Sequence, residues 1–156
     1  MAEKRKELVV SAIENGTVID HIPSKSVLQV MRILNLEGNK NQILYGMNLE
    51  SAKYGKKGII KIKETFFADE DINKISLVAP HATLITIKDY QVVEKRTVVK
   101  PQEIRKFMKC FNPKCITNFE DMETRFSVIS KEEEPVKLRC HYCEKITKEK
   151  DMEFLK

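Results

Sequence analysis

The sequence Cys110-Phe-Asn-Pro-Lys-Cys115, with the shorter Cys140-His-Tyr-Cys143 that follows after 24 residues, holds all four cysteines of this 156-residue chain. Gaps of four and two residues let a tight turn aim two thiolates at one point, and Asn112 and Pro113 are typical turn residues. Two such pairs separated by the length of a hairpin are typical of a closed tetrahedral metal site. We therefore predict that these four cysteines bind one structural zinc ion.

The proposed ligand set also predicts what the zinc does. Four thiolates leave no coordination position for water or substrate, so this zinc stabilises structure and catalyses nothing. Residues 102–156 are too few to bury a large core, which is a common reason for a metal staple. Disulfides are less favoured, because the polar Met1–Lys6 stretch starts no apolar leader and we expect a cytoplasmic protein. A redox Cys-x-x-Cys, an iron site and four inert thiols remain as alternatives.

The composition is that of a soluble globular protein, with 42% hydrophobic and 33% charged residues. No apolar run approaches the length of a membrane span, so we expect no membrane association. The formal charge of +5 lies mainly in residues 1–100, which carry 16 basic and 12 acidic side chains against 12 and 11 in residues 101–156. A zinc ribbon that binds nucleic acid usually carries a basic face, so the near-neutral C-terminal segment argues against that class.

Hydrophobic periodicity before the cysteines predicts an ordered set of strands and helices. A strand at Leu8–Ile13 is followed, from Thr17 onward, by strand, helix, strand, strand, helix and strand. The predicted strands are 17–22, 42–49, 58–66 and 82–87, with a further short run at 90–93. The first helix begins after an N-cap at Ser24 and carries Val27, Leu28, Met31 and Leu34 on one face; the second is capped by Asp69 and carries Ile72, Ile75 and Val78. This order is the split βαβ, or ferredoxin-like, arrangement, which leaves one sheet face free for a ligand or a partner.

The predicted fold class is α+β, an N-terminal ferredoxin-like sandwich with a small, zinc-ribbon-like β domain at the C-terminus. Residues 94–101 are interpreted as a connector, which divides the chain into domains 1–97 and 98–156. Strands are predicted at Arg125–Ile129 and Val136–Arg139, between the two cysteine pairs.

No catalytic constellation is present in the sequence, since it has no nucleophile elbow, no glycine-rich phosphate loop and no His-Glu-x-x-His. We therefore expect a protein that is not an enzyme. Asp20-His21 at a strand end is either a polar end beside a turn or a ligand site in which a carboxylate accepts bonds from sugar hydroxyls. Lys57, Lys61 and Lys63 share one strand face by spacing. Lysines on strands are usually solvated, and Lys95 is by itself a linker charge.

The assembled motifs resemble the regulatory chain of aspartate carbamoyltransferase over nearly the whole chain. The matching stretches, in the family's order, are Gly16-Thr-Val-Ile-Asp-His-Ile-Pro23, Gly46-Met-Asn-Leu49, Gly58-Ile-Ile-Lys-Ile-Lys63 with Thr65-Phe66, Ala79-Pro-His-Ala-Thr83, Tyr90-Gln-Val-Val93 and Cys140-His-Tyr-Cys-Glu-Lys145. The resemblance implies a non-catalytic subunit in pyrimidine biosynthesis. Its N-terminal domain would bind CTP and UTP as inhibitors and ATP as activator, and pair with a second regulatory chain. Its zinc domain would dock on catalytic chains in a hetero-oligomer.

The resemblance also implies residue roles. Asp20 and Lys61 would contact the ribose, with Lys57 on the same strand face, and Lys95 and His21 would contact the phosphates. Backbone groups of Ile13 and Tyr90 would bind the base edge. The pocket lining would be Val10, Ala12, Val18, Ile87 and Val92, and the catalytic-chain contacts would include Asn112, Tyr142, Glu144 and Lys145.

Three positions depart from the family pattern. Ile85 and Lys114 each replace an asparagine, and Ser11 replaces an acidic residue, so the effector preference is not predicted. The alternative function is a zinc-ribbon nucleic-acid-binding protein, with a stand-alone enzyme third. The alternative explains the cysteines and the pI of about 8.9 but requires a basic, aromatic-bearing ribbon face.

Overall fold

The computed structural model describes residues 12–52, 55–131 and 134–155. Residue contacts divide the chain into two compact units, Met1–Val99 and Lys100–Lys156. The expected domain boundary after residue 97 lies two residues before this division. No helix among the described residues is long and apolar enough to span a membrane.

Within residues 12–52 and 55–99, the first unit contains five strands and two short α-helices. In chain order they are β1 (Gly16–Ile22), α1 (Val27–Ile33), β2 (Ile43–Ser51), β3 (Gly55–Lys63), α2 (Asp69–Ile75), β4 (Thr83–Lys88) and β5 (Gln91–Thr97). Single 3-10 turns at Ser24–Ser26 and Leu36–Gly38 flank α1.

The five strands form one antiparallel sheet in the order β2-β3-β1-β4-β5. The first four strands have the ferredoxin-like order, and β5 extends the sheet at its edge, so the predicted fold class is confirmed. Ile19, Ile60 and Ile62 point to one face and are fully buried. Helix α1 packs against β2, β3 and α2 on this side, where a Cβ at Gly58 would collide with Cγ2 of Val27. Among the described residues, α1 therefore covers one face of the sheet.

The helix starts and the buried side of α1 were predicted wrongly. Val27 and Val30 are the buried residues of α1, whereas Leu28 is 51% exposed. Ser24 lies in a 3-10 turn, and its hydroxyl accepts a hydrogen bond from the Asn48 backbone N–H at 3.0 Å instead of capping α1. Asp69 is the first residue of α2 and pairs with Arg96 at 2.9 Å. The Ser24 and Asp69 side chains therefore bind partners elsewhere in the unit and do not cap the helices.

Two strand predictions also need revision. The predicted first strand lies largely outside the described residues, and Ala12 and Ile13 are not in a strand. Residues 94–97 belong to β5 and not to a connector, because they continue the antiparallel ladder with β4. Every residue of β5 is exposed, and charged side chains are common on the edge strand of a sheet. The charged side chains of residues 94–97 therefore belong to an exposed edge strand.

The second unit consists of short strands around the cysteines. They are β6 (Glu103–Arg105), β7 (Met108–Lys109), β8 (Arg125–Val128), β9 (Lys137–Cys140), β10 (Ile146–Lys148) and β11 (Glu153–Phe154). Four of them form an antiparallel sheet in the order β10-β9-β8-β6, and β11 pairs with β7. The core includes Phe126, Leu138 and Met108, all fully buried. The predicted strands at 125–129 and 136–139 are present with shifts of one residue, whereas β6, β7, β10 and β11 were not predicted.

Candidate functional site

The four cysteines converge on one point, as their spacing predicts. Their Sγ atoms all lie within 4.8 Å of one another, with Cys110 and Cys143 at 3.7 Å and Cys115 and Cys140 also at 3.7 Å. A tetrahedral zinc with Zn–S bonds of about 2.3 Å requires S···S edges of about 3.8 Å. All four are free thiols, and 3.7 Å is far beyond the length of a disulfide bond. The donor set therefore fits one structural zinc ion with no open position.

Local hydrogen bonds shape the two turns that present the thiolates. The backbone N–H of Cys115 donates to the carbonyl of Asn112 at 3.0 Å, and the Asn118 amide donates to the same carbonyl at 2.7 Å. In the second turn the Tyr142 N–H donates to Sγ of Cys140 at 3.4 Å. These contacts orient the two turns so that their sulfur atoms face one point.

The thiol pKa values are uneven across the site. Burial raises the pKa of Cys110 and of Cys140 above the ordinary thiol value. Burial also opposes ionisation of Cys143, but hydrogen bonds from the Lys145 backbone, the Asn112 side chain and neighbouring thiols lower its pKa to about 7. Zinc supplies the positive charge that lets all four ionise.

The second candidate site is the sheet face opposite the helices of the first unit, here called the open face. Strand register places Lys61 of β3 opposite Val18 of β1, Val18 opposite Ile85 of β4, and Ile85 opposite Lys95 of β5. Residues directly opposite in a sheet project to the same side. Two lysines therefore flank an apolar pair in one row across four strands, and four residues that are distant in sequence come together.

An apolar floor lies next to this row. Ile13, Val18 and Ile87 form a buried cluster, with Ile59 and Ile85 packed against it. Val18 and Ile87 are two of the five pocket-lining residues expected from the family resemblance, and Ile13 was expected to contact the base edge through its backbone; the structure brings these three residues together. Ile85 adds to the apolar floor and offers no hydrogen bond. Sequence reasoning missed Ile59, although its alternation with the buried Ile60 and Ile62 places it on the open face.

Asp20 and His21 lie at one end of the open face. The Asp20 carboxylate forms an ion pair with Lys57 at 2.8 Å and accepts the His21 backbone N–H at 2.6 Å. Both charged side chains are mostly buried, at 17% exposed for Asp20 and 20% for Lys57. His21 has a positive φ of 59° at an irregularity of β1, and its Nδ1 lies 3.3 Å from the Thr83 hydroxyl. The local distortion therefore turns two successive polar residues toward the same end of the sheet.

Burial lowers the pKa of Lys61, and the charge of Asp20 opposes this shift. Lys95 lies on the exposed edge strand. An anion on the open face would therefore meet the partly desolvated cation of Lys61 and the hydrated cation of Lys95.

The β4–β5 turn lies at the other end of the open face. Tyr90 and the preceding Asp89 both have positive φ, and the Tyr90 backbone N–H donates to the Glu14 carbonyl at 2.9 Å. The Tyr90 N–H is therefore already bonded within the unit. Val92 on β5 lies opposite Ile87 and is 59% exposed. Ala12 is exposed, and Val10 and Ser11 lie outside the described residues.

A separate cavity of about 320 Å³ lies beside the open face. Its lining is His21, Pro23, Ser24, Lys25, Lys56, Pro80 and His81. Among the described residues expected to bind nucleotide, His21 alone borders it, so the others do not line this cavity.

The residues expected to contact a catalytic chain lie in the two cysteine turns. Asn112 is in the first turn, and Tyr142, Glu144 and Lys145 are in the second. Tyr142 is 42% exposed, and its ring lies edge-on to His141 with centroids 5.2 Å apart. Sequence reasoning missed three exposed apolar neighbours in the first turn, Phe111, Ile116 and Phe119, which are 52%, 51% and 73% exposed.

Comparison with known proteins assigns both units. The model of the aspartate carbamoyltransferase regulatory chain allosteric domain matches residues 8–99, and that of the metal-binding domain of the same chain matches residues 102–153. The chain belongs to the aspartate carbamoyltransferase regulatory chain family. The regulatory chain of Bacteroides fragilis is 52% identical over 155 residues, which cover 99% of this chain and 100% of the relative. The regulatory chain of Thermococcus sibiricus is 51% identical over 92% of this chain and 94% of the relative. That of Pyrococcus horikoshii is 49% identical over 94% of this chain and 96% of the relative.

The family gives each unit a general role. The first unit is the allosteric domain and the second is the metal-binding domain, whose four clustered cysteines are consistent with one structural zinc. The chain is a regulatory, non-catalytic subunit, as expected from the missing catalytic constellation.

Proposed function

We propose that the open face binds nucleoside triphosphates, with CTP and UTP as inhibitors and ATP as activator, and that binding tunes the catalytic chains of aspartate carbamoyltransferase. The row formed by Lys61, Val18, Ile85 and Lys95 carries this proposal. Cations at both ends of an apolar strip suit a ligand that has a flat ring and several negative charges.

The nucleotide would lie along the open face from the β4–β5 turn toward His21. The base packs on the floor of Ile13, Val18 and Ile87, where the Tyr90 carbonyl accepts a hydrogen bond from an exocyclic amino group. Asp20 and Lys61 bind the ribose, because a carboxylate accepts bonds from hydroxyls. Lys95 and His21 bind the phosphates. The ion pair with Lys57 holds the Asp20 carboxylate in place for this role.

The metal-binding domain would dock on the catalytic chain through the cysteine turns. Asn112, Tyr142, Glu144 and Lys145 supply polar contacts, and the exposed Phe111, Ile116 and Phe119 supply apolar area for the same contact. Aromatic side chains with a fixed backbone are common anchors of protein interfaces. Two regulatory chains would pair through their allosteric domains within the hetero-oligomer.

Allosteric control requires that nucleotide binds two global states of the assembly unequally. A ligand with equal affinity for both states shifts nothing, however tightly it binds. The isolated chain can therefore bind nucleotide, whereas regulation is a property of the complex.

Calorimetric titration of the zinc-loaded chain with CTP and ATP tests nucleotide binding. Lys95→Ala removes charge-assisted bonds to the phosphates, and we expect a loss of roughly 1.5–3 kcal/mol, or roughly 10- to 150-fold in affinity. Lys88→Ala is the matched control, since Lys88 is exposed on the same hairpin but lies next to the Phe66 ring, 5.8 Å from its centroid. Equal affinities of wild type and Lys95→Ala would remove Lys95 from the site.

A further inference from the structure

The outer face of the four-stranded sheet in the second unit is a separate charged surface. Strand alternation buries Ile104, Phe126, Leu138, Cys140 and Thr147 on the inner side. Two side chains from each strand form the opposite side, here called the outer face: Glu103 and Arg105, Arg125 and Ser127, Lys137 and Arg139, and Ile146 and Lys148.

The outer face concentrates positive charge that the composition of the unit conceals. Five of its eight side chains are basic and one is acidic, although residues 101–156 as a whole carry 12 basic and 11 acidic groups. A near-neutral total charge of residues 101–156 argues against a basic ribbon face only if the charges are evenly spread over the unit. Strands β6 and β10 supply half of the outer face, and neither was predicted, so the segregation of charge was not visible in the sequence.

Like charges lie directly opposite each other twice on the outer face. Arg105 pairs across the ladder with Arg125, and Lys137 pairs with Lys148. Like charges at directly opposite positions destabilise a sheet. Among the described residues, Lys137 and Lys148 have no carboxylate partner that offsets this cost. A local rule broken in this way is typical of a surface kept for another purpose.

One of these pairs already holds a carboxylate. Arg105 Nε donates to Glu103 Oε1 at 2.7 Å, and an Arg125 terminal nitrogen donates to Glu103 Oε2 at 3.2 Å. These bonds hold the pKa of Glu103 below its usual value. Both carboxylate oxygens are therefore bound by guanidinium groups, which shows how an external carboxylate can be seated on this surface.

The other cations of the outer face have no such partner. Within residues 12–52, 55–131 and 134–155, no carboxylate lies within 4.0 Å of Lys137, Arg139 or Lys148. Arg139 is at the centre of the group, between Ser127 and Ile146 in the register of the sheet. The side that faces β10 therefore offers three cations that form no ion pair with any described carboxylate.

We propose that the outer face is a docking surface for a protein partner that presents clustered carboxylates. A protein is favoured over nucleic acid because the eight strand side chains include no aromatic ring on which bases could stack. Four strands span only about 15 Å, which suits one acidic patch or peptide. The outer face is distinct from the cysteine turns, and the proposal does not depend on nucleotide binding.

Fluorescence anisotropy with labelled decaglutamate as the probe and the full zinc-loaded chain tests this proposal. Arg139→Glu replaces the central cation by a repelling carboxylate, and we expect a loss of affinity of about tenfold or more. Arg139→Gln removes the charge alone, and we expect a smaller loss of about three- to tenfold. The matched control is Lys150→Glu, which makes the same charge change at an exposed position of the 3-10 turn Glu149–Asp151. We expect its affinity to stay within about twofold of wild type.

A labelled oligothymidylate of equal length is measured in parallel. Decaglutamate binding that falls with Arg139→Glu and persists in Lys150→Glu supports the proposal. Equal losses in both variants would show that net charge alone attracts the probe and would overturn it. Tighter binding of oligothymidylate, with the larger loss on Arg139→Glu, would also overturn it in favour of nucleic acid. Arg139→Gln keeps the test decisive if charge reversal disturbs the sheet.

Discussion

Lys56 and Lys57 are neighbours in β3, and each forms an ion pair in a different environment. Lys57 binds Asp20 at 2.8 Å, with side chains 20% and 17% exposed. Lys56 binds Glu50 at 2.9 Å, with side chains 57% and 89% exposed. Replacing each lysine by methionine keeps most of the length of the side chain and removes the charge. The two variants therefore differ mainly in how far their ion pair is buried.

The two variants should differ in stability by about 2 kcal/mol. Exposed pairs contribute about 0–1 kcal/mol, whereas breaking a fully buried pair costs about 3–5 kcal/mol. The burial of the Asp20–Lys57 pair lies between these limits. When Lys57 is replaced, Asp20 still has the His21 backbone N–H and the nearby charge of Lys61 as partners, which reduces the cost. We expect Lys57→Met to cost about 2 kcal/mol and Lys56→Met to cause no measurable loss of stability.

Native-state hydrogen exchange at Ile19, Ile60 and Ile62 measures the stability of the first unit alone. A loss of about 2 kcal/mol accelerates exchange through global opening by about 30-fold. Asp20→Asn should give a similar acceleration, and combining it with Lys57→Met should add little, because both remove the same interaction. Equal acceleration by Lys56→Met and Lys57→Met would refute the reasoning from burial.

Three further predictions concern the rest of the chain. Removal of zinc by a chelator should unfold the second unit before the first, and a far-UV circular dichroism spectrum unchanged by chelation would contradict this. Gly58→Ala should destabilise the first unit by about 1–3 kcal/mol, because its Cβ would collide with the stiff, buried Val27; Gly38→Ala, with 3.7 Å to its nearest neighbour, is the control in thermal unfolding. Arg105→Gln should raise the pKa of Glu103 in an NMR titration, because Arg105 donates the strongest bond to that carboxylate. The contribution of Glu103 to stability, present above its unfolded-state pKa and lost as pH falls through its folded-state pKa, should then shrink.

Short-range patterns predicted the metal site and most of the first sheet. The cysteine spacing alone indicated a tetrahedral site, because few ligand geometries satisfy gaps of four and two residues. The strand and helix order indicated the ferredoxin-like sheet, because this order has few compact topologies. The open face then follows from alternation: Val18 and Lys61 project away from the helices because Ile19 and Ile60 project toward them.

Features set by tertiary partners were not predictable in this way. The charges of 94–97 were interpreted as a connector because a solvated linker and an exposed edge strand have the same composition. The cap role expected of Asp69 was lost to an ion pair with Arg96, 27 residues away. The outer face of the second unit depends on β6 and β10, which have only three residues each and therefore carry almost no periodicity. Local pattern thus predicts the core elements better than the edges.

The central claim is that nucleotide on the open face changes the behaviour of a catalytic partner. The most direct test mixes the zinc-loaded chain with the aspartate carbamoyltransferase catalytic chain of the same organism and records aspartate saturation with and without CTP and ATP. We expect a large complex whose half-saturating aspartate concentration rises with CTP, falls with ATP, and responds weakly to both when the regulatory chain carries Lys95→Ala. A complex that forms but whose saturation curve neither nucleotide moves would contradict it.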